Sequence, residues 1–360
     1  MRVALVLLLA TSAGCEQRQV VNRHISDLMI VHQFSDIEQP PLRSATIVDD
    51  STVAALFDPG IELLLVSPTG IIKRLGRAGG GPGEFRDARW VVLSDTAHLV
   101  VVDRASRLAT RWLLDGAMDA NVRIDEPYLS GLWMMHGDAV VRSHTLGSAR
   151  VRFGRIDFTS SRVISWRDFP LDSGGQLSCM YCYAAVSENG MIAMTPPDTT
   201  YRISRWAETG QPLAPLSREG IPLVQLNQSE LDSAGALRSR MLADAERAGI
   251  KRSDLTGAIS SMAAARRKPR FAMHATFVDA RGWTWTQRNV ARDSEPTVDV
   301  FDNAGRYCGN VLLPLHSKLL EVRLPLLLIV QYAEDGNEKF EILRTTPLVC
   351  SEKLPVSGKS

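Results

Sequence analysis

The sequence predicts an all-β fold, a six-bladed β-propeller carrying an inserted α-helical hairpin. Three observations lead there. A strand–turn–strand unit recurs along the chain. Its two clearest copies are offset by 45 positions, Asp58 to Asp103, which is the period of a four-stranded blade. Glycines beside Asp or Asn punctuate the units, supplying the positive φ that tight hairpin turns demand.

The first unit runs from Val53 to Asp58, then Leu63 to Val66 and the turn Ser67-Pro68-Thr69-Gly70. The second runs from Leu99 to Asp103, then Leu108 to Leu113 and the turn Leu114-Asp115-Gly116. A weaker third unit pairs Ala139 to Arg142 with Val151 to Phe158. The fourth is Met191 to Met194, Tyr201 to Trp206 and Glu208-Thr209-Gly210. The fifth is Trp283 to Arg288, Val298 to Phe301 and Asp302-Asn303-Ala304-Gly305. The sixth, shorter, is Leu326 to Val330, Glu334-Asp335-Gly336 and Phe340 to Leu343. These units place blade starts near Thr46, Trp90, Leu132, Tyr183, Ala275 and Leu319, within a propeller spanning 20–348. The strand around Leu28 to Phe34 is expected to complete the last blade, removing the open sheet edges. Residues 351–360 are left as a C-terminal tail.

One region breaks the period. From Ser229 to Gly249 the apolar residues Leu231, Ala234, Leu237, Met241, Leu242, Ala245 and Ala248 follow helical spacing. A second helix is expected from the Ser253 cap through Leu255, Ile259 and Met262, stopping before Pro269. The insertion, 229–267, either binds or covers something or plugs one end of the disc. The basic cluster Arg266, Arg267, Lys268 and Arg270 reads as the positive last turn of that helix.

With 360 residues and 45% hydrophobic composition, the chain can bury a large core. Its 41 Lys+Arg against 40 Asp+Glu give no basic excess, which argues against a nucleic-acid partner. Arg2, the apolar run Val3 to Ala10 and the small residues Thr11 to Gly14 describe a secretory signal peptide over 1–15. That run is too short to span a bilayer as a permanent helix.

Small residues ending at Cys15 resemble the lipobox of bacterial lipoproteins, although Ser12 stands where Leu is usual. The resemblance implies acylation of Cys15, and Glu16 after it implies the outer membrane. Ordinary secretion is the alternative. In an oxidising compartment Cys179, Cys182, Cys308 and Cys350 allow two disulfides, with three pairings open.

The stretch from Leu75 to Met118 carries Gly81-Pro82-Gly83-Glu84-Phe85, the strand end Asp103, then Arg107 and Leu108, and the turn Asp115-Gly116. It resembles an NHL repeat, with Asp87-Ala88 where a proline is usual and Ser106 where Asn is usual. The whole chain resembles the six-bladed propeller lipoproteins of bacteria. That implies a fold, and leaves function open because propellers host many activities. The same glycines could cradle a phosphate, but a strand follows them instead of a helix and the Lys-Ser/Thr pair is missing.

Cys179-Met180-Tyr181-Cys182 is a CxxC, read as a local disulfide, a redox pair or half of a metal site. Residues before the inner strands, Arg43, Arg89, Trp133, Tyr181 and His274, are expected at one channel mouth. Guanidinium groups and aromatics there suit an anionic or sugar-like ligand; solvated rim residues or ion pairs are the alternative. Arg43, Arg89 and His274 would form a positive funnel if no carboxylate lay near. No cofactor is expected; a channel calcium is the exception considered, with Asp49, Asp50, Glu188 and Asp279 as the nearest acids. The functional expectation is an exported, lipid-anchored binding or scaffolding module, its partner a protein or an anionic or saccharide ligand. The alternative is a channel-site enzyme, a calcium-dependent hydrolase or lactonase, or a lyase.

Overall fold

The computed structural model describes residues 28–34, 41–126, 128–144, 150–170, 183–196, 199–232, 235–236, 239, 267–333, 338–348 and 350. Six four-stranded antiparallel sheets form the blades. The chain opens with β1 (Leu28–Phe34). Blade 1 is β2 (Leu42–Ile47), β3 (Val53–Phe57), β4 (Leu63–Ser67) and β5 (Gly70–Leu75). A small parallel pair, β6 (Arg77–Ala78) and β7 (Glu84–Phe85), follows. Blade 2 is β8 (Ala88–Leu93), β9 (His98–Asp103), β10 (Leu108–Leu113) and β11 (Met118–Arg123). Blade 3 is β12 (Leu129–Met135), β13 (Asp138–His144), β14 (Arg150–Asp157) and β15 (Arg162–Pro170). Blade 4 is β16 (Tyr183–Val186), β17 (Ile192–Thr195), β18 (Arg202–Trp206) and β19 (Pro212–Ser217). Blade 5 is β20 (Phe271–Val278), β21 (Thr284–Arg288), β22 (Thr297–Phe301) and β23 (Tyr307–Leu312). Blade 6 is β24 (Ser317–Arg323), β25 (Leu326–Tyr332), β26 (Glu338–Thr345) and, as its fourth strand, β1.

That last pairing closes the ring. Leu28 lies opposite Thr345 and Phe34 opposite Phe340, antiparallel, as the sequence led us to expect. Each expected blade start falls inside an inner strand: Thr46 in β2, Trp90 in β8, Leu132 in β12, Tyr183 in β16, Ala275 in β20 and Leu319 in β24.

The core is divided among the blade junctions, because each sheet buries both faces against its neighbours. Between blades 1 and 2, for example, Leu56, Leu63 and Leu65 meet Phe85, Val91, Leu99 and Trp112. Phe85 is fully buried with its ring 6.2 Å from that of Trp112, so the Gly-rich loop is an interblade turn. Gly76 and Gly83 hold φ of 74° and 73°, the left-handed region glycine enters without strain. The Gly81 amide donates to Glu84 Oε2 at 2.9 Å, so a carboxylate of the chain itself occupies the loop.

The inner strands leave free edges toward the axis, and buried amides there need acceptors. Side chains of adjacent blades supply several. Leu42 N donates to Glu338 (2.7 Å), Ile47 N to Glu321 (2.5 Å), Val91 N to Ser44 (3.2 Å) and Leu319 N to Gln287 (2.8 Å).

The helical hairpin is not supported. Among the described residues of 229–267, one short helical stretch starts at Gln228, capped by Asn227 Oδ1 accepting from Glu230 N at 2.9 Å. Most of the insertion lies outside the described residues. Arg267, Lys268 and Arg270 are not a helix end: Arg267 forms an antiparallel bridge with Gln225, and Lys268 and Arg270 follow it into β20. Cys308 and Cys350 form a disulfide spanning 42 residues, tying the segment after blade 6 to blade 5. The signal segment, Cys15, Cys179, Tyr181, Cys182 and the tail 351–360 lie outside the described residues. No helix among the described residues is long and apolar enough to cross a membrane.

Candidate ligand site at the channel mouth

Six inner strands in ring order surround the axis. The channel has two ends. At the entry face the chain passes from one blade to the next, so inner strands start there and second strands end there. At the hairpin face lie the turns from each inner strand to its second strand.

A concavity of about 890 Å³ is at the hairpin face and draws residues from all six inner strands, among them Thr46, Val92, Trp133, Val186, Phe277 and Leu320. Most of its charged lining is already committed. Asp279 takes the Arg281 guanidinium at 2.9 Å, the Trp285 indole at 3.1 Å and the Trp283 amide at 3.0 Å. Glu321 holds Ile47 N and Arg323, and Asp95 holds His98 at 2.9 Å. Glu188 stands exposed at its rim.

The acids considered for calcium are not gathered. Asp49 caps its own turn by accepting from Ser51 N at 2.8 Å, Asp50 pairs with Arg344 at 3.0 Å, and Asp279 is engaged as above. Among the described residues, the one group of three possible metal donors is Asp302, Cys308 and Cys350, where the two sulfurs are bonded to each other.

The entry face holds Arg43, Arg89 and His274, but not as a funnel; Trp133, expected beside them, lines the concavity at the opposite, hairpin face instead. Arg43 and Arg89 do sit there, each second in its inner strand. Arg43 pairs with Asp58 and, at 2.5 Å, with Asp87; Arg89 pairs with Asp87 at 2.8 Å. Their charge is spent on carboxylates, which corrects the expectation of free cations. Burial pushes the Asp87 carboxyl up, yet hydrogen bonds from Arg89 and Arg43 and the charges of Arg104 and Arg89 outweigh it and hold it low. Trp133 is half-buried between blades 3 and 4, its ring 5.9 Å from Phe153.

His274 is different. It lies in a bulge of β20 with φ of 56°, which turns its ring out of the blade. Its side chain is exposed at the channel mouth. Tyr183 packs edge-on against it at 4.7 Å. The imidazole is pulled down to about 4, first by desolvation, then by the charges of Lys318 and Arg142. Arg142, buried on β13, is itself lowered to about 10 by desolvation. Lys318 is lowered by burial, with Glu338 opposing. Blades 3, 4, 5 and 6 thus bring Arg142, Tyr183, His274 and Lys318 to one mouth.

Three of these four were missed from sequence, Tyr183 having figured only as a blade start. Lys318 had a signal: it is the second residue of β24, the position Arg43 and Arg89 hold in β2 and β8. Arg142 had only its oddity, a charged residue closing the apolar run Ala139 to Val141.

No protein-family profile matches the chain, and no curated protein matches it. Solved structures do. A protein assigned as exported in Bacteroides fragilis is 12% identical over 91% of this chain and 98% of its own, with a TM-score of 0.52. A duf4221-family member from Bacteroides vulgatus is 10% identical over 90% of this chain and 99% of its own, also at 0.52. Virginiamycin B lyase from Staphylococcus aureus is 10% identical over 89% and 99%, at 0.48. At these identities the likeness is one of fold alone: the chain is a six-bladed β-propeller.

Proposed function

We propose that the protein is an exported, lipid-anchored binding module whose entry-face mouth takes an anionic ligand. The observation that carries this reading is a mouth histidine packed edge-on by Tyr183 at 4.7 Å, held neutral by desolvation first and then by the charges of Lys318 and Arg142. An anion seated there would relieve the repulsion between the two cations. It would also let His274 accept a proton and become a third donor. Tyr183 supplies an aromatic wall beside it. The cavity at the opposite face is a weaker candidate, because most of its charges already answer one another.

Histidine NMR during a titration with D-glucuronate tests this reading. The expected result is saturable binding with the His274 pKa moving up from about 4, and roughly tenfold weaker binding in Lys318→Met. A His274 signal that ignores the titration would overturn it. The anchor has its own test: Cys15→Ser is expected to leave the protein out of the membrane fraction after a salt wash. Persistence there would place the anchor elsewhere.

A further inference from the structure

We infer that the ligand is extended, a carboxylated oligosaccharide that runs from the His274 mouth outward over the entry edge of blade 5; this rests on the reading above. Three observations carry it. The first is a run of arginines leading to the mouth. Arg270 precedes β20, and its guanidinium donates to the carbonyls of Thr199 (2.7 Å) and Pro222 (2.6 Å). Those neutral acceptors aim the group without cancelling its charge. Arg288, ending β21, shares Asp299 with Arg218: Arg288 lies 3.0 Å and Arg218 2.6 Å from that one carboxylate. Arg267 is exposed, and no acid among the described residues pairs with its side chain. Arg270 is disfavoured as a cation by burial first, then by Arg288 and Arg267, so these like charges face one another. Glu230 is taken by Lys268 at 2.6 Å, leaving Asp293 and Glu295 on the adjacent turn as the acids nearby in sequence.

The second observation is reach. Arg267 stands seven positions before His274 and outside β20, bridged to Gln225, so the basic run begins beyond the strand that carries the mouth histidine, although the bulge between Phe271 and Thr276 shortens the path.

The third is the surface around the mouth. Large apolar side chains stand exposed at the entry face: Met273 (56%), Tyr332 (41%), Tyr128 (40%) and Leu315 (40%). Bare polyphosphate would gain nothing from them. Sugar rings present C–H faces to apolar and aromatic platforms and carboxylates to planar guanidinium forks.

Calorimetry on the full exported chain decides it, with galacturonate, trigalacturonate, maltotriose and tripolyphosphate as probes. Trigalacturonate is expected to bind at least tenfold more tightly than galacturonate. Arg267→Gln, at an exposed site, is expected to lose about three- to tenfold for the trimer and nothing for the monomer. Lys318→Met should weaken both. Equal affinity for monomer and trimer, or a trimer indifferent to Arg267→Gln, overturns the extended ligand and leaves the mouth site standing. Maltotriose or tripolyphosphate binding as well as trigalacturonate overturns the carboxylated sugar. Failure of galacturonate and trigalacturonate alike overturns the mouth site itself.

Discussion

Two groups of basic residues share the entry face and behave in opposite ways. Around Asp87, three arginines converge on one carboxylate: Arg43 at 2.5 Å, Arg89 at 2.8 Å and Arg104 at 2.9 Å. Arg43 also holds Asp58 and the Ala88 carbonyl, so it staples blade 1 to blade 2. Around His274, Lys318 and Arg142 act on a neutral imidazole and depress its basicity. The difference lies in which partner the fold supplies. At Asp87 a carboxylate turns cations into structure; at His274 desolvation and like charge hold the imidazole neutral.

The sharpest break between the two groups is Asp87→Ala. Arg43 and Asp87 are mostly buried, with side chains 12% and 16% exposed, so removing the shared acid leaves charge uncompensated. The expected loss is on the order of 3 kcal/mol in urea unfolding. Lys318→Met, at the other group, is expected to cost under about 1 kcal/mol, because it relieves repulsion while giving up the attraction of the Glu338 charge. A loss under about 1 kcal/mol for Asp87→Ala would place its cluster among ordinary exposed ion pairs.

A smaller effect separates the groups by pH. His274 titrates near 4 in the folded chain against 6.5 unfolded, so on acidification the unfolded state takes up the proton first. Its contribution is complete above pH 6.5, declines between 6.5 and 4, and falls no further below. Asp87 is held below 3.8, so its contribution is present above 3.8 and is lost as pH falls through its folded value. Stability measured against pH should therefore decline in two windows. His274→Gln should flatten the upper window alone; an unchanged upper slope would remove His274 as its source. The smallest expected effect is in Lys318→Met, where the His274 pKa rises but stays below 6.5, because desolvation, the larger cause, persists.

The fold was legible because its signals are local. Gly81 to Phe85 marks an interblade turn whose meaning depends on a handful of consecutive residues, and Leu28 to Phe34 reads as a strand with no partner of its own. The site was less legible because its chemistry is written across blades. Arg43 meets Asp87 from 44 positions away, so no inspection of its own repeat shows that it is neutralised. Lys318 could have been found by carrying the Arg43 and Arg89 position into blade 6. Arg142 could not, since what faces it depends on how blade 3 is rotated against its neighbours. The helical period at 229–249 illustrates the converse: apolar spacing marked a departure from the blade pattern without settling its structure.

The closure of blade 6 also sets a timetable. Gln33 donates to Glu341 at 2.8 Å, two residues 308 positions apart, so a strand made among the first waits for one made among the last. Because the ring shuts on its two most distant strands, no length of nascent chain short of β26 can hold the complete disc. A chain that emerges N-terminus first must therefore keep five finished sheets and one unfinished one apart until its final strand arrives. Until then β25 exposes an open edge to every other chain nearby.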